Sequence, residues 1–242
     1  MAVFADTSPA NGVRTPGVHG IVHDRHSKKK LWKPSKQYFE GTTLFDELAR
    51  TVCDAECLPR KELYESWELA TRVRRRLRGR RIVDLACGHG LVAHVCSLLD
   101  RGFEEAVAVD RAIPKNAPRL SGVLTSRWPR LRVAYVEGRL EKFALRSDDV
   151  VVSAHACGKL TDRVIERAIA AGASVAVLPC CHRPALRTGL EGWMASDVAQ
   201  DVMRAQRLRG AGYEVYTHVI PHEITPKNRV LIGKPVSQQS AV

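Results

Sequence analysis

The sequence predicts an α/β fold: a seven-stranded sheet, mostly parallel with an antiparallel last strand, preceded by a helical N-terminal extension. Three observations lead there. After Arg81, short apolar runs alternate with helical stretches, as in a parallel sheet covered by helices on both faces. The link between the last two runs, residues 221–228, is too short for a helical crossover, so those strands should pair antiparallel. Before Arg81, the apolar residues follow helical spacing.

Residues 1–24 are rich in Gly, Pro, Ser and Thr without a hydrophobic period, and read as a disordered tail. The next segment, His26 to Phe39, joins lysines to Trp32 and Tyr38. Lysines beside rings can hold phosphates while a ring stacks on a base; the other reading is a solvated charge run whose aromatics dock on the domain. In residues 42–57, Leu44, Phe45, Leu48 and Val52 lie at helical spacing, with Thr42 or Thr43 as cap. A second helix is expected from Pro59, suited to a first turn, through Leu77; Leu63, Trp67, Ala70, Val73 and Leu77 share one face. The run from Arg72 to Arg81 suits the C-terminal end of a helix dipole but is denser than that role requires, so it is a candidate phosphate-contacting patch.

Strands are expected at Ile82–Ala86, Ala106–Asp110, Arg132–Glu137, Val150–Ala154, Ser174–Leu178, Glu214–Ile220 and Arg229–Gly233, with helices at 91–101, 116–128, 160–171 and 195–211. No internal repeat is visible. The expected organisation is a tail (1–24), a basic helical extension (25–80), a sheet domain (81–236) and a second tail (237–242).

At 242 residues, with 45% hydrophobic and 26% charged residues, the chain can bury a core unaided. That composition excludes collagen-like, fully disordered and disulfide-framework classes. No run approaches ~18 apolar residues, so no membrane span is expected. The N-terminus lacks a basic stretch followed by an apolar one, so no secretory signal is expected either. Seven cysteines, an odd number, suggest free thiols in a reducing, cytoplasmic compartment. Lys plus Arg number 38 against 26 Asp plus Glu, a net charge of +12. Such a surface favours polyanions, most simply nucleic acid, through Lys28, Lys29, Lys30, Arg74, Arg75 and Arg76. The alternative is an Arg-rich coding bias.

The strongest motif runs Ile82-Val-Asp84-Leu-Ala86-Cys87-Gly88-His-Gly90-Leu-Val-Ala93. An apolar strand ends near a carboxylate, turns through Gly-x-Gly and enters a helix whose first N–H groups are free. The next strand ends in Asp110, about twenty residues after the turn, where a ribose diol would be held. Gly-x-Gly-x-x-Ala formally satisfies the dinucleotide fingerprint. Asp84 argues against that ligand: a carboxylate repels a pyrophosphate and attracts an ammonium.

With these residues in place, the chain resembles the class I S-adenosylmethionine-dependent methyltransferases. Asp84-Leu-Ala-Cys-Gly88-His-Gly90 is similar to their first motif, and the expected strands match their order. The resemblance implies a Rossmann-like fold and S-adenosyl-L-methionine as cofactor. It implies that Asp84, Ala86, Cys87, Gly88 and Gly90 line its methionine side, that Asp110 holds the ribose and that Arg139 and Leu140 flank the adenine. Ser153 and His155 complete the cofactor contacts so implied.

A second constellation follows the fourth and fifth strands: Ser153-Ala-His155-Ala-Cys157-Gly-Lys159 and Pro179-Cys180-Cys181-His182. Ligands of an open α/β sheet bind beyond the carboxyl ends of its strands, so these residues should converge. His-x-Cys-Gly and Cys-Cys-His resemble a methyltransferase subgroup that includes eukaryotic tRNA 2′-O-methyltransferases and the glutathione S-transferase C-terminal-domain-containing protein. His155 and His182 are candidate bases, since an imidazole titrates near the working pH; Cys157 and Cys181 join them as candidate catalytic residues. Zinc is the second reading, but the common C-x₂-C knuckle is missing and adjacent cysteines ligate one ion poorly, so no metal is assigned. A covalent Pro179-Cys180 nucleophile and plain packing are the other readings.

The expected function is methyl transfer to an oxygen or nitrogen of RNA, with tRNA a candidate. The alternatives are methylation of a small molecule or protein, a non-catalytic module binding RNA or the cofactor, and, most distantly, a dehydrogenase.

Overall fold

The computed structural model describes residues 24–182 and 186–236. The expected tails, 1–24 and 237–242, lie outside these residues apart from Asp24.

The strands are β1 (Arg81–Leu85), β2 (Glu105–Asp110), β3 (Ala134–Glu137), β4 (Asp149–Ser153), β5 (Ser174–Val177), β6 (Tyr213–Val219) and β7 (Arg229–Pro235). They form one sheet in the order β3-β2-β1-β4-β5-β7-β6. β1 to β5 are joined by parallel pairings, and β7 runs antiparallel to both β5 and β6. The hairpin slots β7 beside β5 and leaves β6 at the edge. The helices are α1 (Leu44–Ala55), α2 (Arg60–Arg76), α3 (Leu91–Leu99), α4 (Ala117–Arg127), α5 (Lys159–Ala171) and α6 (Ser196–Gly210). No helix among the described residues is long and apolar enough to cross a membrane.

Successive strand residues face opposite sides of a sheet. Ile82 therefore packs with the core under α1 to α4, while Val83 and Leu85 pack with the core under α5 and α6. The N-terminal extension shares the first of these cores: Leu31, Phe39, Phe45, Leu63 and Val73 cluster with Ile82 and Val95. In its aromatic centre Phe45 meets Tyr64 in a tilted arrangement and Trp67 edge to face, with ring centroids 5.1 and 5.2 Å apart. Burial of these rings, worth roughly 2–3 kcal/mol each, ties α1 to α2, while α2 packs on the sheet domain chiefly through α3.

Three local features have clear causes. Thr43, not Thr42, caps α1: its hydroxyl accepts from the Asp46 N–H at 3.2 Å, and the Asp46 carboxylate accepts from the Thr43 N–H. That places Leu44 in the first turn, exposed rather than on the apolar face. The basic segment contains a short 3₁₀ helix, Lys33–Tyr38, started by Pro34 and closed by the Ser35 hydroxyl accepting from the Trp32 N–H. At the end of the sheet opposite the loops of interest, Arg81 and Asp149 make a buried, two-pronged ion pair at 2.7 and 2.8 Å.

Candidate functional site

The turn between β1 and α3 is built from left-handed backbone. Ala86, Gly88 and Gly90 all have positive φ, at 56°, 53° and 76°. Only glycine fits the last position: a Cβ there would lie 3.1 Å from Ala108 Cβ and 3.0 Å from the Tyr135 ring. The turn is tied to β2, because the Cys87 N–H reaches the Val109 carbonyl and the Gly88 N–H donates to Asp110 Oδ2 at 2.9 Å. Tyr135 braces it from β3, its hydroxyl donating to the His89 carbonyl at 2.8 Å.

Beside this turn lies a cavity of about 380 Å³, inside the roughly 300–1,000 Å³ range of cofactor sites. Ala86, Asp110, Arg139 and Leu140 line it, together with Glu141 and Arg163. Arg163 and Glu141 close one wall through a 2.6 Å ion pair. Four of the residues expected to hold the cofactor thus meet at one opening.

The other expected cofactor residues are placed differently. Cys87 is buried, and burial raises its thiol pKa strongly. Ser153 is buried, its hydroxyl donating to the Leu85 carbonyl at 2.6 Å across β1 and β4. Asp84 is 1% exposed, and neither carboxylate oxygen has a hydrogen-bond partner among the described residues. Burial pushes its carboxyl well above the ordinary range; the Ala93 N–H in the first turn of α3 opposes this without closing a hydrogen bond, and the Asp110 charge adds to it. A buried carboxylate without a partner is costly, so Asp84 is suited to a cationic ligand. Asp84 does not line the cavity; Asp110, whose charge acts on Asp84, does. The orphaned group and that cavity together fit a cofactor that carries both an ammonium and a ribose.

The second constellation receives a contribution from the extension. His155 Nε2 lies 4.0 Å from Glu62 Oε1 on the first turn of α2. Burial pushes Glu62 up to about 7, helped by the Glu65 charge and opposed by Lys61. Burial, then the charges of Lys61 and His89, push His155 down to about 4. The two shifts run in opposite directions, so the site holds a neutral imidazole beside a carboxyl that is much less acidic than usual. Nothing in the local sequence around Glu62 marks it; only the packing of α2 against the sheet brings it here.

The cysteines do converge. Cys157 Sγ lies 3.2 Å from Cys180 Sγ, which lies 3.8 Å from Cys181 Sγ. The loops that carry them are joined by the Gly158 N–H donating to the Cys181 carbonyl at 3.1 Å. Burial raises the Cys180 thiol pKa strongly. His182 turns to α6, where its Nε2 is 2.9 Å from Asp201 Oδ1. There it joins a network in which Asp201 also pairs with Arg204 and Arg229.

Lys28, Lys29 and Lys30 are exposed at the start of α2, where the Arg60 N–H donates to the Lys29 carbonyl. Arg74, Arg75 and Arg76 are exposed at its other end. Arg76 lies over the Tyr216 ring, 4.5 Å from its centroid.

A family model described as a methyltransferase domain matches residues 61–187. No curated protein matches the chain in sequence. An O-methyltransferase family protein from Burkholderia thailandensis aligns with a TM-score of 0.49 at 17% identity, over 85% of this chain and 68% of that one. The B. subtilis tRNA methyltransferase TrmK aligns at 0.48 with 11% identity, over 70% and 66% of the two chains. Magnesium protoporphyrin IX methyltransferase from Synechocystis PCC 6803, solved with bound SAH, aligns at 0.47 with 10% identity, over 83% and 92%.

Proposed function

The chain belongs to the methyltransferase-domain family, and from that premise we propose that this S-adenosylmethionine-dependent enzyme methylates an oxygen or nitrogen of RNA, with tRNA the first candidate. The observation that carries the RNA reading is the pair of basic clusters at the two ends of α2. That helix has 17 residues, so Lys28–Lys30 and Arg74–Arg76 are about 25 Å apart at 1.5 Å per residue. A small anion touches one cluster; a polynucleotide reaches both. The resemblance of the His-x-Cys-Gly and Cys-Cys-His motifs to tRNA 2′-O-methyltransferases supports the same substrate class.

S-adenosylmethionine supplies a sulfonium methyl already activated for displacement. The protein's work is then alignment and, for a hydroxyl or amine acceptor, removal of one proton. Asp84 would hold the ammonium, directly or through water, Asp110 the ribose hydroxyls, and Arg139 with Leu140 the adenine. His155, neutral at working pH, would accept the hydrogen bond of the acceptor group. Glu62, with a pKa of about 7, is the better proton acceptor of the pair.

The test is transfer of tritiated methyl from S-adenosylmethionine to total RNA, protein extract and small-molecule extract in parallel. Label is expected in RNA and should fall steeply with salt, since each released phosphate contact contributes roughly 0.7–0.9 to the log–log slope. Combined Arg74→Glu, Arg75→Glu and Arg76→Glu should abolish it while S-adenosylhomocysteine still binds. Label confined to another fraction, or unaffected by the charge reversal, removes the RNA reading.

A further inference from the structure

We infer that Cys157, Cys180 and Cys181 form a three-thiolate zinc site at the carboxyl ends of β4 and β5. The inference does not depend on the identity of the methyl acceptor. All three sulfurs lie within 4.8 Å of one another. Zinc bonds thiolate at about 2.3 Å, and in a tetrahedron that length sets sulfurs about 3.8 Å apart. The Cys180–Cys181 edge is already 3.8 Å, and the Cys157–Cys180 edge is 3.2 Å. A shift of about half an ångström in one exposed side chain, Cys157, completes two tetrahedral edges of that length. Adjacent cysteines ordinarily splay their side chains apart; here the irregular chain beyond β5 holds both sulfurs on one centre.

The surroundings suit a bound ion. The two ligand-bearing loops are joined by the Gly158 N–H to Cys181 carbonyl bond. Arg204, 3% exposed, donates to the Gly158 carbonyl and to the Asp162 carboxylate, clamping the Cys157 loop from α6. Such outer contacts orient ligands around a metal. An all-sulfur set selects a soft cation over magnesium or calcium. Cys157 and Cys181 are exposed, so a fourth coordination place faces solvent and is open to water or an anionic ligand, as in zinc centres that do chemistry. On binding, each ligating thiol gives its proton to solvent; no oxidant or reductant takes part.

The test is metal analysis of the full chain purified under reducing conditions and equilibrated with zinc. About one equivalent of zinc per chain is expected, released by a mercurial thiol reagent. Cobalt substitution should give a sulfur-to-cobalt charge-transfer band and the strong visible bands of a tetrahedral site. Cys157→Ser and Cys181→Ser, both at exposed positions, should keep the far-UV circular dichroism of the parent. Each should lose at least tenfold in zinc affinity, given that outer-shell changes alone cost roughly 10–100-fold. Zinc that stays bound in both variants overturns the site. So does a reduced parent protein that takes up no zinc, or one in which a Cys157–Cys180 disulfide forms in air and zinc fails to prevent it.

Discussion

Replacing Glu62 by glutamine removes a carboxyl that the fold holds partly protonated at neutral pH. Moving a carboxyl from 4.5 to about 7 corresponds to ~3 kcal/mol, at about 1.4 kcal/mol for each tenfold change in acid dissociation. The side chain is 28% exposed, so solvent screening reduces this to about 2 kcal/mol. The folded pKa is above the unfolded one, so the native state binds more protons between 4.5 and about 7. Stability from this group is complete below 4.5 and is lost as pH rises through about 7. Urea unfolding of the parent and of Glu62→Gln, measured at intervals from pH 4.5 to 8, isolates the effect. The parent should lose about 2 kcal/mol relative to the variant across that interval. If Glu62 is also the proton acceptor, kcat/KM should rise over the same interval to a plateau above pH 7, opposite to stability. A difference in stability that stays flat with pH would refute the reasoning, because an ionised, hydrated Glu62 has nothing to titrate there.

Two further outcomes separate the cofactor site from the framework. Asp84→Ala should weaken S-adenosylhomocysteine binding by ~1–3 kcal/mol in calorimetry, the usual worth of a charge-assisted contact; unchanged affinity would move the ammonium away from β1. Asp149→Ala leaves Arg81 charged and buried, so denaturant unfolding should show a loss of about 3–5 kcal/mol. The pair sits at the far end of β1, so the surviving folded protein should bind S-adenosylhomocysteine as the parent does.

Much of this molecule is visible in the sequence. The alternation of apolar strands and amphipathic helices, the short link 221–228 and the Gly88-x-Gly90 turn are local patterns. Local backbone and side-chain chemistry decides them: the buried strands are mostly apolar, and Gly90 combines a positive φ with a Cβ position only 3.1 Å from Ala108 Cβ. Asp110 closes β2 within the same pattern, whereas Arg139 and Leu140 come from the resemblance to the methyltransferase family. What the sequence left open depends on distance in space. Glu62 lies on a helix outside the sheet, and its place beside His155 follows from α2 packing against α3 and the sheet. His182 and Cys181 are neighbours in the chain, yet one turns to Asp201 and the other joins a thiol cluster. Burial, which raises Glu62, lowers His155 and leaves Asp84 without a partner, is a property of the assembled core. A string of residue types carries the periodicity that builds the layers. It does not carry the dielectric surroundings or the convergence of distant side chains, and those arise only once the layers close on one another.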